Sequence, residues 1–514
     1  MQIQFGLETE IGISRERPEG IDVVAESIAM VRSATVPGVR AKWNYAQEDP
    51  HQDARGFRVK ELRQDTDEAN YFAQDASRPL SFAEIKSDLV LKNGARFYND
   101  HAHPEYCTPE CSTLAELLAQ DQAGDRLLMD CAAAVSANSD NPVRLYKNNT
   151  DFRGHSYGCH ENYLLPRSLE WETLAAGVQA FLVTRQVFGG AGKYGWEDED
   201  RFLQPGFQIA QRSDFFTELQ SVDTMQRRPL VNTRDEPHAD PARFRRFHVI
   251  IGDANLSPYA TYLKVGSTAL VLEALAAGAP LERFPRLADP VGALRSISRD
   301  RGWKWEVTLA GGRRATALSV QHQYLEIVRD YVPGAGNLDS ALPWPALFAR
   351  WNGILHDLER DPLSTADRLD WSAKHQLIEG FRATEGLGED DPWLRSLDLS
   401  YHELNEAEGL YFGLRDAGSF VHPCPEILDG PEGLRAPATT RAALRGGCIE
   451  KFGPMVLAAQ WDGVVMRTQA KGHRRVELDL RGVFAPEQVS AGLAALGIAQ
   501  APEDLLTLPF ARLV

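Results

Sequence analysis

Polar and apolar residues alternate at the start of the chain. Between residues 2 and 13 the apolar positions are Ile3, Phe5, Leu7, Ile11 and Ile13, and the polar positions between them include Gln2, Gln4, Glu8 and Glu10. A period of two residues is typical of a β-strand with one buried face. We therefore predict one strand over this range, with the carboxylates of Glu8 and Glu10 displayed together on its polar face.

A second extended segment lies at residues 87–106, with the sequence SDLVLKNGARFYNDHAHPEY. Its Asn-Gly pair between two apolar runs predicts a hairpin turn. In the strand after this turn, Arg96, Tyr98 and Asp100 are spaced by two residues and are expected on one face. Glu105 is expected just past a further turn that Pro104 begins.

Helical patterns dominate the later part of the chain. Helices are predicted at 114–137, at about 259–277 and over most of 315–420. Because strands come first and no regular β-α-β alternation follows, the pattern favours an α+β fold around a largely antiparallel sheet. The stretch HPCPEILDGPEG, at 422–433, is rich in Pro and Gly and is the best candidate for a linker. We predict a large domain at 1–424 and a small α/β domain at 425–514.

Residues 37–80 differ from their surroundings, because they are polar, charged and without lasting periodicity. A structureless segment of this length inside a compact domain is either functional or disordered. We predict a mobile loop inserted into the large domain.

Composition narrows the class of protein. Hydrophobic residues make up 43% and charged residues 25% of the chain, as in ordinary soluble proteins. The net charge of −17 argues against non-specific binding to nucleic acid or to an anionic membrane. No apolar run approaches the roughly 20 residues that cross a bilayer, and the first residues lack a signal-peptide pattern. The six cysteines lack metal-site spacing and are expected to be free thiols of a cytoplasmic protein.

The two carboxylate-bearing strands indicate a cation site. Glu8 and Glu10 on one strand face repel each other unless a cation lies between them, and Mg²⁺ prefers such oxygen ligands. Two acids at a solvated strand edge are the alternative. Asp100 could likewise be a simple turn residue, and His101 and His103 could serve loop packing. Zinc is disfavoured because no third ligand for these two histidines is evident.

The chain has no conventional phosphate-binding loop. The segment FGGAGKYG has Val187 where a Walker A motif needs Gly and Tyr194 where it needs Ser or Thr. Any ATP is therefore expected on a sheet with carboxylate-bound Mg²⁺, and Arg96 would suit its phosphates through bidentate hydrogen bonds.

Seven blocks of sequence together resemble one enzyme family. They are GLETEIG, NGARFYNDHAHPEY, LYKNNTDFRGHSYGCHENYL, FLVTRQVFGGAGK, RRPLVNTRDEPHAD, RRFHVIIGDANLSPYATYLKVGSTALVL and TTRAALRGGC. The chain is similar to the Pup ligase/depupylase family, which is related to the carboxylate–amine ligases of the glutamine synthetase type. The resemblance implies a large glutamine synthetase-like domain in which helices pack on a mainly antiparallel sheet cradle, plus a small C-terminal domain.

Within this family the chain looks like the depupylase branch. The segments DHAHPEY and GDANLSPYATYLKVG and the long insertion resemble that branch, whereas GLETEIG and SYGCHENY are nearer the ligase spelling. The resemblance implies an amidohydrolase that cleaves the isopeptide bond between Pup and a substrate lysine and deamidates the C-terminal Gln of Pup. The alternative is a ligase that forms the same bond through an ATP-derived γ-glutamyl phosphate.

The resemblance also implies roles for single residues. Glu8, Tyr98 and Glu105 match Mg²⁺ ligands; Arg96 and Thr108 match ATP contacts, as does Trp461 of the small domain; and Asp100 matches the catalytic aspartate, as nucleophile or general base. From their motif positions, Glu10 and His160 are assigned as further metal ligands and Arg234 as a phosphate contact.

The cofactors implied are Mg²⁺ and ATP, or ADP plus phosphate, and the partners are Pup and pupylated proteins. Neither nucleic acid nor a membrane is expected as a partner. The oligomeric state stays open, and a monomer is compatible with the sequence.

Overall fold

A seven-stranded sheet forms the centre of the fold. The computed structural model describes residues 3–35, 38–39, 43–45, 48–63, 78–197, 203–335, 344–424, 435–469 and 474–514. In spatial order the strands are β13 (Phe244–Val249), β8 (Cys159–Pro166), β1 (Phe5–Glu10), β6 (His103–Cys107), β5 (Arg96–Asp100), β4 (Leu89–Leu91) and β3 (Gly38–Val39). Every neighbouring pair is antiparallel. The predicted α+β class with an antiparallel sheet is confirmed.

Fourteen α-helices lie among the described residues. The helices are α1 (Val23–Ser33), α2 (Phe82–Lys86), α3 (Leu114–Ser136), α4 (Trp171–Thr184), α5 (Gln186–Gly189), α6 (Pro258–Ala276), α7 (Pro290–Ser298), α8 (Ala317–Tyr331), α9 (Trp344–Arg360), α10 (Asp370–Glu385), α11 (Pro392–Tyr401), α12 (Leu410–Asp416), α13 (Arg441–Phe452) and α14 (Pro486–Ile498). The predicted helices at 114–137, 259–277 and within 315–420 are therefore present. Of the fourteen, α1, α3 and α6 pack on the central sheet. None of the helices among the described residues combines the length and apolar character needed to cross a membrane.

The alternation of apolar and polar residues in β1 decides which face of the sheet α3 and α6 cover. Phe5 and Leu7 are buried in the main hydrophobic core, whereas Glu8 and Glu10 lie on the opposite face and are only partly buried. Thr113 caps α3 through a reciprocal pair of hydrogen bonds with Glu116, which fixes where that helix begins. The covered face of the sheet is therefore apolar, and the open face is free to carry polar chemistry.

Short two-stranded sheets surround the central one. They pair β2 (Gly12–Arg15) with β7 (Val143–Tyr146), β9 (Lys193–Glu197) with β10 (Leu203–Gln208), β11 (Phe216–Ser221) with β12 (Arg228–Asn232), and β14 (Glu306–Thr308) with β15 (Arg314–Thr316). The β11–β12 pair is parallel.

The C-terminal part contains its own four-stranded sheet. Its strands are β16 (Val456–Gln460), β17 (Gly463–Arg467), β18 (Arg475–Asp479) and β19 (Ala511–Leu513), and α13 and α14 contribute to the same hydrophobic cluster. Glu110, just past β6, accepts hydrogen bonds from Arg441 and Arg445 of α13 at 2.7 and 2.6 Å. These ion pairs tie the C-terminal sheet to the central one. The predicted boundary at 424/425 adjoins residues 425–434, which lie outside the described residues.

Two local expectations need correction. The single strand predicted over 2–13 is wrong, because the chain leaves the central sheet after Glu10 and β2 pairs with β7 instead. Gly12 allows Tyr157 to approach β2 closely, because a Cβ there would lie 2.6 Å from the Tyr157 hydroxyl oxygen. Glu105 does not follow a turn at Pro104; both residues lie inside β6, and the turn lies at His101, whose φ is +55°.

Parts of the predicted mobile insertion are within the described residues. Trp43 and Asp53 are both buried, and the Ala54 amide donates to the carbonyl of Thr233 at 2.8 Å. The described part of the insertion therefore packs on the large domain through Asp53 and Ala54 and on the hydrophobic cluster of the C-terminal sheet through Trp43. Residues 64–77 lie outside the described residues, and the mobility of the insertion stays a prediction.

Candidate active site

The open face of the sheet carries polar side chains from five neighbouring strands. They are Arg246 and His248 of β13, His160 and Asn162 of β8, Glu8 and Glu10 of β1, His103, Glu105 and Cys107 of β6, and Arg96, Tyr98 and Asp100 of β5. The pairing sets Glu10 opposite Glu105 and Glu105 opposite Tyr98. A row of three oxygen-bearing side chains therefore crosses the middle of the sheet.

The first group of potential metal ligands centres on Glu8. Ligand atoms of Glu8, His160 and His248 all lie within 4.8 Å of one another. Asn162 donates to Glu8 Oε1 at 3.0 Å, and His160 Nδ1 lies 3.5 Å from Oε2. Burial opposes the charge on Glu8, but the hydrogen bond with His160 and the charge of Arg246 outweigh it and hold its pKa below the ordinary value.

His248 is suited to bind a cation as a neutral imidazole. Burial and the nearby charge of Arg246 lower the pKa of His248 well below its ordinary value. The neutral ring is the form that offers a lone pair to a metal. Its ring centroid lies 4.9 Å from that of His160.

The second group contains Glu10, Asp100 and Glu105, whose nearest carboxylate oxygens also lie within 4.8 Å of one another. Tyr98 donates a hydrogen bond to Glu105 at 2.9 Å, and the amide of Gly158 donates to Glu10 at 2.8 Å. Burial, with repulsion from Asp100 and Glu10, raises the pKa of Glu105 well above its ordinary value. A bound cation would relieve this repulsion and keep all three carboxylates ionised.

Asp100 is held ionised at the end of β5. Lys86 Nζ of α2 donates to its Oδ1 at 2.5 Å, and His101 Nδ1 lies 3.2 Å from its Oδ2. Burial opposes the charge, but His101 and Lys86 outweigh it and hold the pKa of Asp100 well below its ordinary value. The carboxylate is thus ready to act as a nucleophile or to hold a water molecule.

Arg96 is fixed in a cage of aromatic and acidic groups. It donates to Asp88 Oδ1 at 2.6 Å and to the hydroxyl of Tyr45 at 2.7 Å. Its guanidinium lies 3.7 Å from the ring centroid of Tyr98 and 4.0 Å from that of Trp43. Two residues of the 37–80 insertion, Trp43 and Tyr45, therefore help to position the arginine that the sequence assigns to nucleotide phosphates.

Both groups of potential metal ligands, together with Arg96 and Lys86, line one cavity of about 340 Å³. Its wall also carries Arg212, Arg228, Arg234, Glu48 and Trp461. Arg234 is held by hydrogen bonds from its guanidinium to the carbonyl of Val222 at 2.9 Å and to Thr224 Oγ1 at 3.1 Å. Acidic and cationic groups on facing walls can hold a cation together with a phosphorylated ligand.

A more apolar pocket adjoins the cavity on the side of the C-terminal sheet. It is lined by Phe5, Gly6, Thr108, Trp461 and Phe484, among others, and it shares Glu8 and Trp461 with the cavity. Thr108 Oγ1 accepts a hydrogen bond from the amide of Leu7 at 3.0 Å. The pocket suits a flat aromatic ring such as a purine, which would place phosphates toward the cavity.

The structure brings together all of the residues assigned from the sequence. Thr108 lines only the apolar pocket, Trp461 lines both, and the other eight line the cavity. Sequence reasoning missed Lys86, Asn162, Arg212, Arg246 and His248. Arg246 and His248 are spaced by two residues in the strand sequence RRFHV, and this spacing could have identified them. Lys86 has no comparable signal, because only the folded chain brings α2 next to Asp100.

Comparison with known proteins identifies the family. A sequence model of the family described as Pup-ligase protein matches residues 4–465. The chain therefore belongs to the Pup-ligase protein family, which agrees with the resemblance found in the sequence.

Named relatives fall into two groups. The depupylase of Acidothermus cellulolyticus is 40% identical over 90% of this chain and 90% of its own, and the Pup deamidase/depupylase of Mycolicibacterium smegmatis is 39% identical over 90% and 91%. A Pup–protein ligase of Xylanimonas cellulosilytica is 41% identical over 71% of this chain and 80% of its own.

Two solved structures show the same fold. The complex of the prokaryotic ubiquitin-like protein Pup with its ligase PafA matches with a TM-score of 0.74 and 28% identity, covering 97% of this chain and 93% of that one. PafA with bound ADP matches with a TM-score of 0.68 and 31% identity, covering 85% and 96%. The glutamine synthetase-like fold expected from the resemblance is confirmed.

Proposed function

We propose that the chain is a depupylase and Pup deamidase. It hydrolyses the isopeptide bond between the C-terminal Glu of Pup and a substrate lysine, and it converts a C-terminal Gln of Pup to Glu. The observation that carries the proposal is the combination of identity and coverage. The relatives named depupylase are 39–40% identical over 90% of this chain, whereas the ligases reach 41% over 71% or 35% over 83%. Pup and pupylated proteins are the partners in this proposal.

The cavity and the apolar pocket bind Mg²⁺ and a nucleotide in this proposal. Glu8, Glu10, Tyr98, Glu105 and His160 hold the metal, and Arg96, Thr108, Arg234 and Trp461 contact ATP, or ADP and phosphate. The clustered carboxylates and the repulsion that raises the pKa of Glu105 support the metal assignment. The ADP complex of PafA supports the nucleotide. Bound Mg²⁺ supplies positive charge that stabilises developing negative charge.

The reaction needs help at two points, because an amide is a poor electrophile with a poor leaving group. In one route Asp100 attacks the amide carbonyl and forms a mixed anhydride with Pup, while the C–N bond breaks and the lysine amine, or ammonia from Pup-Gln, leaves with a proton from water. A second water molecule then hydrolyses the anhydride. In the other route Asp100 directs a water molecule to the carbonyl, and the same C–N bond breaks. His101 and Lys86 hold the pKa of Asp100 low against the effect of burial, which keeps the carboxylate ionised as both routes require. Arg212 and Arg234 line the same cavity and are placed to stabilise an oxyanion.

The ligase is the second candidate. The PafA complex with Pup covers 97% of this chain, and relatives named Pup–protein ligase reach 41% identity. In that reaction the C-terminal Glu of Pup becomes a γ-glutamyl phosphate at the expense of ATP, and a lysine displaces the phosphate.

One assay separates the two candidates. The purified protein is incubated with Mg²⁺, a trace of ATP and, in parallel, a pupylated protein or Pup ending in Gln. A hydrolase releases Pup from the conjugate and raises the mass of Pup-Gln by one unit. Failure of both reactions, together with joining of Pup-Glu to lysine at one ATP per bond, would assign the chain to the ligases.

A further inference from the structure

A cluster of two histidines and a glutamate lies on the helical side of the molecule. His322 belongs to α8, and His356 and Glu359 lie one turn apart on α9. Potential ligand atoms of all three residues lie within 4.8 Å of one another. None of the three lines the cavity or the apolar pocket described above.

The distances between potential ligand atoms in this cluster are close to the distances between the ligand atoms of a bound metal ion. His322 Nε2 lies 3.0 Å from Glu359 Oε1, and His356 Nδ1 lies 3.4 Å from Oε2 of the same carboxylate. In a tetrahedral zinc site with bonds near 2.1 Å, ligand atoms are separated by about 3.4 Å. The donors therefore need little rearrangement to face a common ion.

Buried aromatic residues fix the positions of the two helices that carry the cluster. Tyr324 of α8 and Trp351 of α9 both pack against Phe181, with ring centroids at 5.2 and 5.8 Å. Both rings are buried, whereas the side chains of His322, His356 and Glu359 are 27%, 62% and 45% exposed. Arg360, next to Glu359, pairs with Asp357 at 2.8 Å. The cluster is thus preorganised by the core and open to ions in solution.

We propose that His322, His356 and Glu359 form a surface site for a borderline divalent transition metal, with Zn²⁺ as the best fit. Two imidazole nitrogens and one carboxylate oxygen are a ligand set that zinc accepts, with water in the fourth position. Mg²⁺ and Ca²⁺ are disfavoured because they prefer oxygen ligands. A bound ion links α8 to α9 and stabilises the folded chain.

The test counts bound zinc in the full-length chain. Metal-free protein is titrated with zinc chloride by calorimetry, and bound zinc is measured by elemental analysis after dialysis. The variants are His356→Ala and Glu359→Gln. The matched control is His155→Ala, which removes an exposed histidine that pairs with Asp151 at 2.7 Å outside the cluster. The Glu8–His160–His248 group could also bind zinc. The readout is therefore the difference in zinc stoichiometry and affinity between wild type and each variant.

Wild type and His155→Ala should bind one more zinc equivalent than the two cluster variants, or bind it more than about tenfold more tightly. Zinc should raise the melting temperature of wild type by more than that of either cluster variant. Cobalt in place of zinc should give visible d–d absorption that is weaker in His356→Ala than in wild type and His155→Ala. Equal zinc stoichiometry and affinity in all four proteins, including no binding by any of them, would overturn the proposal and leave only hydrogen bonds between histidine and carboxylate.

Discussion

Tyr98 and Glu105 face each other across β5 and β6, and the Tyr98 hydroxyl donates a 2.9 Å hydrogen bond to the Glu105 carboxylate. The guanidinium of Arg96, which the family resemblance assigns to nucleotide phosphates, lies 3.7 Å from the centroid of the Tyr98 ring. Tyr98 thus connects the acidic centre of the cavity with its cationic wall.

Tyr98→Phe should weaken Mg²⁺ binding while leaving the fold intact. The variant keeps the ring beneath Arg96 but removes the hydroxyl that orients Glu105. Loss of such a partner typically costs about 10- to 100-fold in metal affinity. The Mg²⁺ concentration that gives half-maximal Pup release should rise by that factor, with an unchanged melting temperature for the metal-free protein. An unchanged Mg²⁺ requirement would remove Tyr98 from the metal site.

Asp100→Asn should reduce release of Pup by more than about 10³-fold. The amide has nearly the same shape but neither attacks a carbonyl nor accepts a proton. Nucleotide affinity, measured by calorimetry, should change little, because Asp100 lies at the end of β5 beyond Arg96.

The route through Asp100 can be tested with wild-type enzyme in ¹⁸O-labelled water. Direct attack forms an anhydride between Asp100 and Pup, and hydrolysis of this anhydride at the Asp100 carbonyl carbon places ¹⁸O in the Asp100 carboxylate, as detected by peptide mass spectrometry. Label in Asp100 would therefore establish direct attack. Label in Pup alone does not separate the two routes, because it results both from water attack on the amide and from anhydride hydrolysis at the carbonyl carbon of Pup. Substantial turnover by Asp100→Asn would contradict both roles.

Trp461→Ala should weaken nucleotide binding about tenfold or more, because stacking of a base on an aromatic ring contributes roughly 1–3 kcal/mol. Trp461 lines the apolar pocket and packs edge-to-face on Trp43 at 5.4 Å between centroids. Trp393→Ala is the matched control, since Trp393 is 64% exposed and lines neither pocket. Equal ADP affinity for the two variants would show that Trp461 does not contact the nucleotide.

Glu110→Gln should lower the free energy of unfolding, because it weakens the ion pairs between Glu110 and α13. It should also reduce the loss of stability between pH 4.5 and pH 2. Burial opposes the charge of Glu110, but Arg445 and Arg441 outweigh it and lower its pKa from 4.5 to about 2. A pKa that is lower in the folded state stabilises the protein above pH 4.5, and this stabilisation is lost as pH falls from 4.5 to 2. The shift corresponds to about 3 kcal/mol.

Urea unfolding of wild type and Glu110→Gln across this pH range measures the effect. Their difference in unfolding free energy should be largest above pH 5 and should shrink toward pH 2. A difference that stays constant with pH would mean that the loss comes from packing and not from the charge of Glu110.

The period-two pattern was enough to place several site residues. Arg96, Tyr98 and Asp100 share the open face of β5, as their spacing predicted, and Glu8 and Glu10 share that of β1. The Asn-Gly turn before β5 was also predicted correctly, and Gly94 takes a φ of +80° there. These features are local, since side-chain direction in a strand depends only on residue number.

Other features depended on contacts between distant parts of the chain. The position of β6 between β1 and β5 places Glu105 beside Glu10, and the spacing of neither strand reveals it. The approach of Lys86 to Asp100 and of Trp43 to Arg96 is likewise invisible in the sequence. Strand order and loop packing are set by the burial of the whole core and not by local preference.

The sequence by itself determined the class of fold, the residues that face away from the core and, through its motifs, the family. Only the tertiary structure decided how these residues combine. It divides the acids into one group around Glu8 and another around Glu10, and it surrounds Asp100 with Lys86 and His101. The reason is physical: a pattern records which way a side chain points, whereas charge, burial and pKa depend on which distant residues the fold brings within a few ångströms.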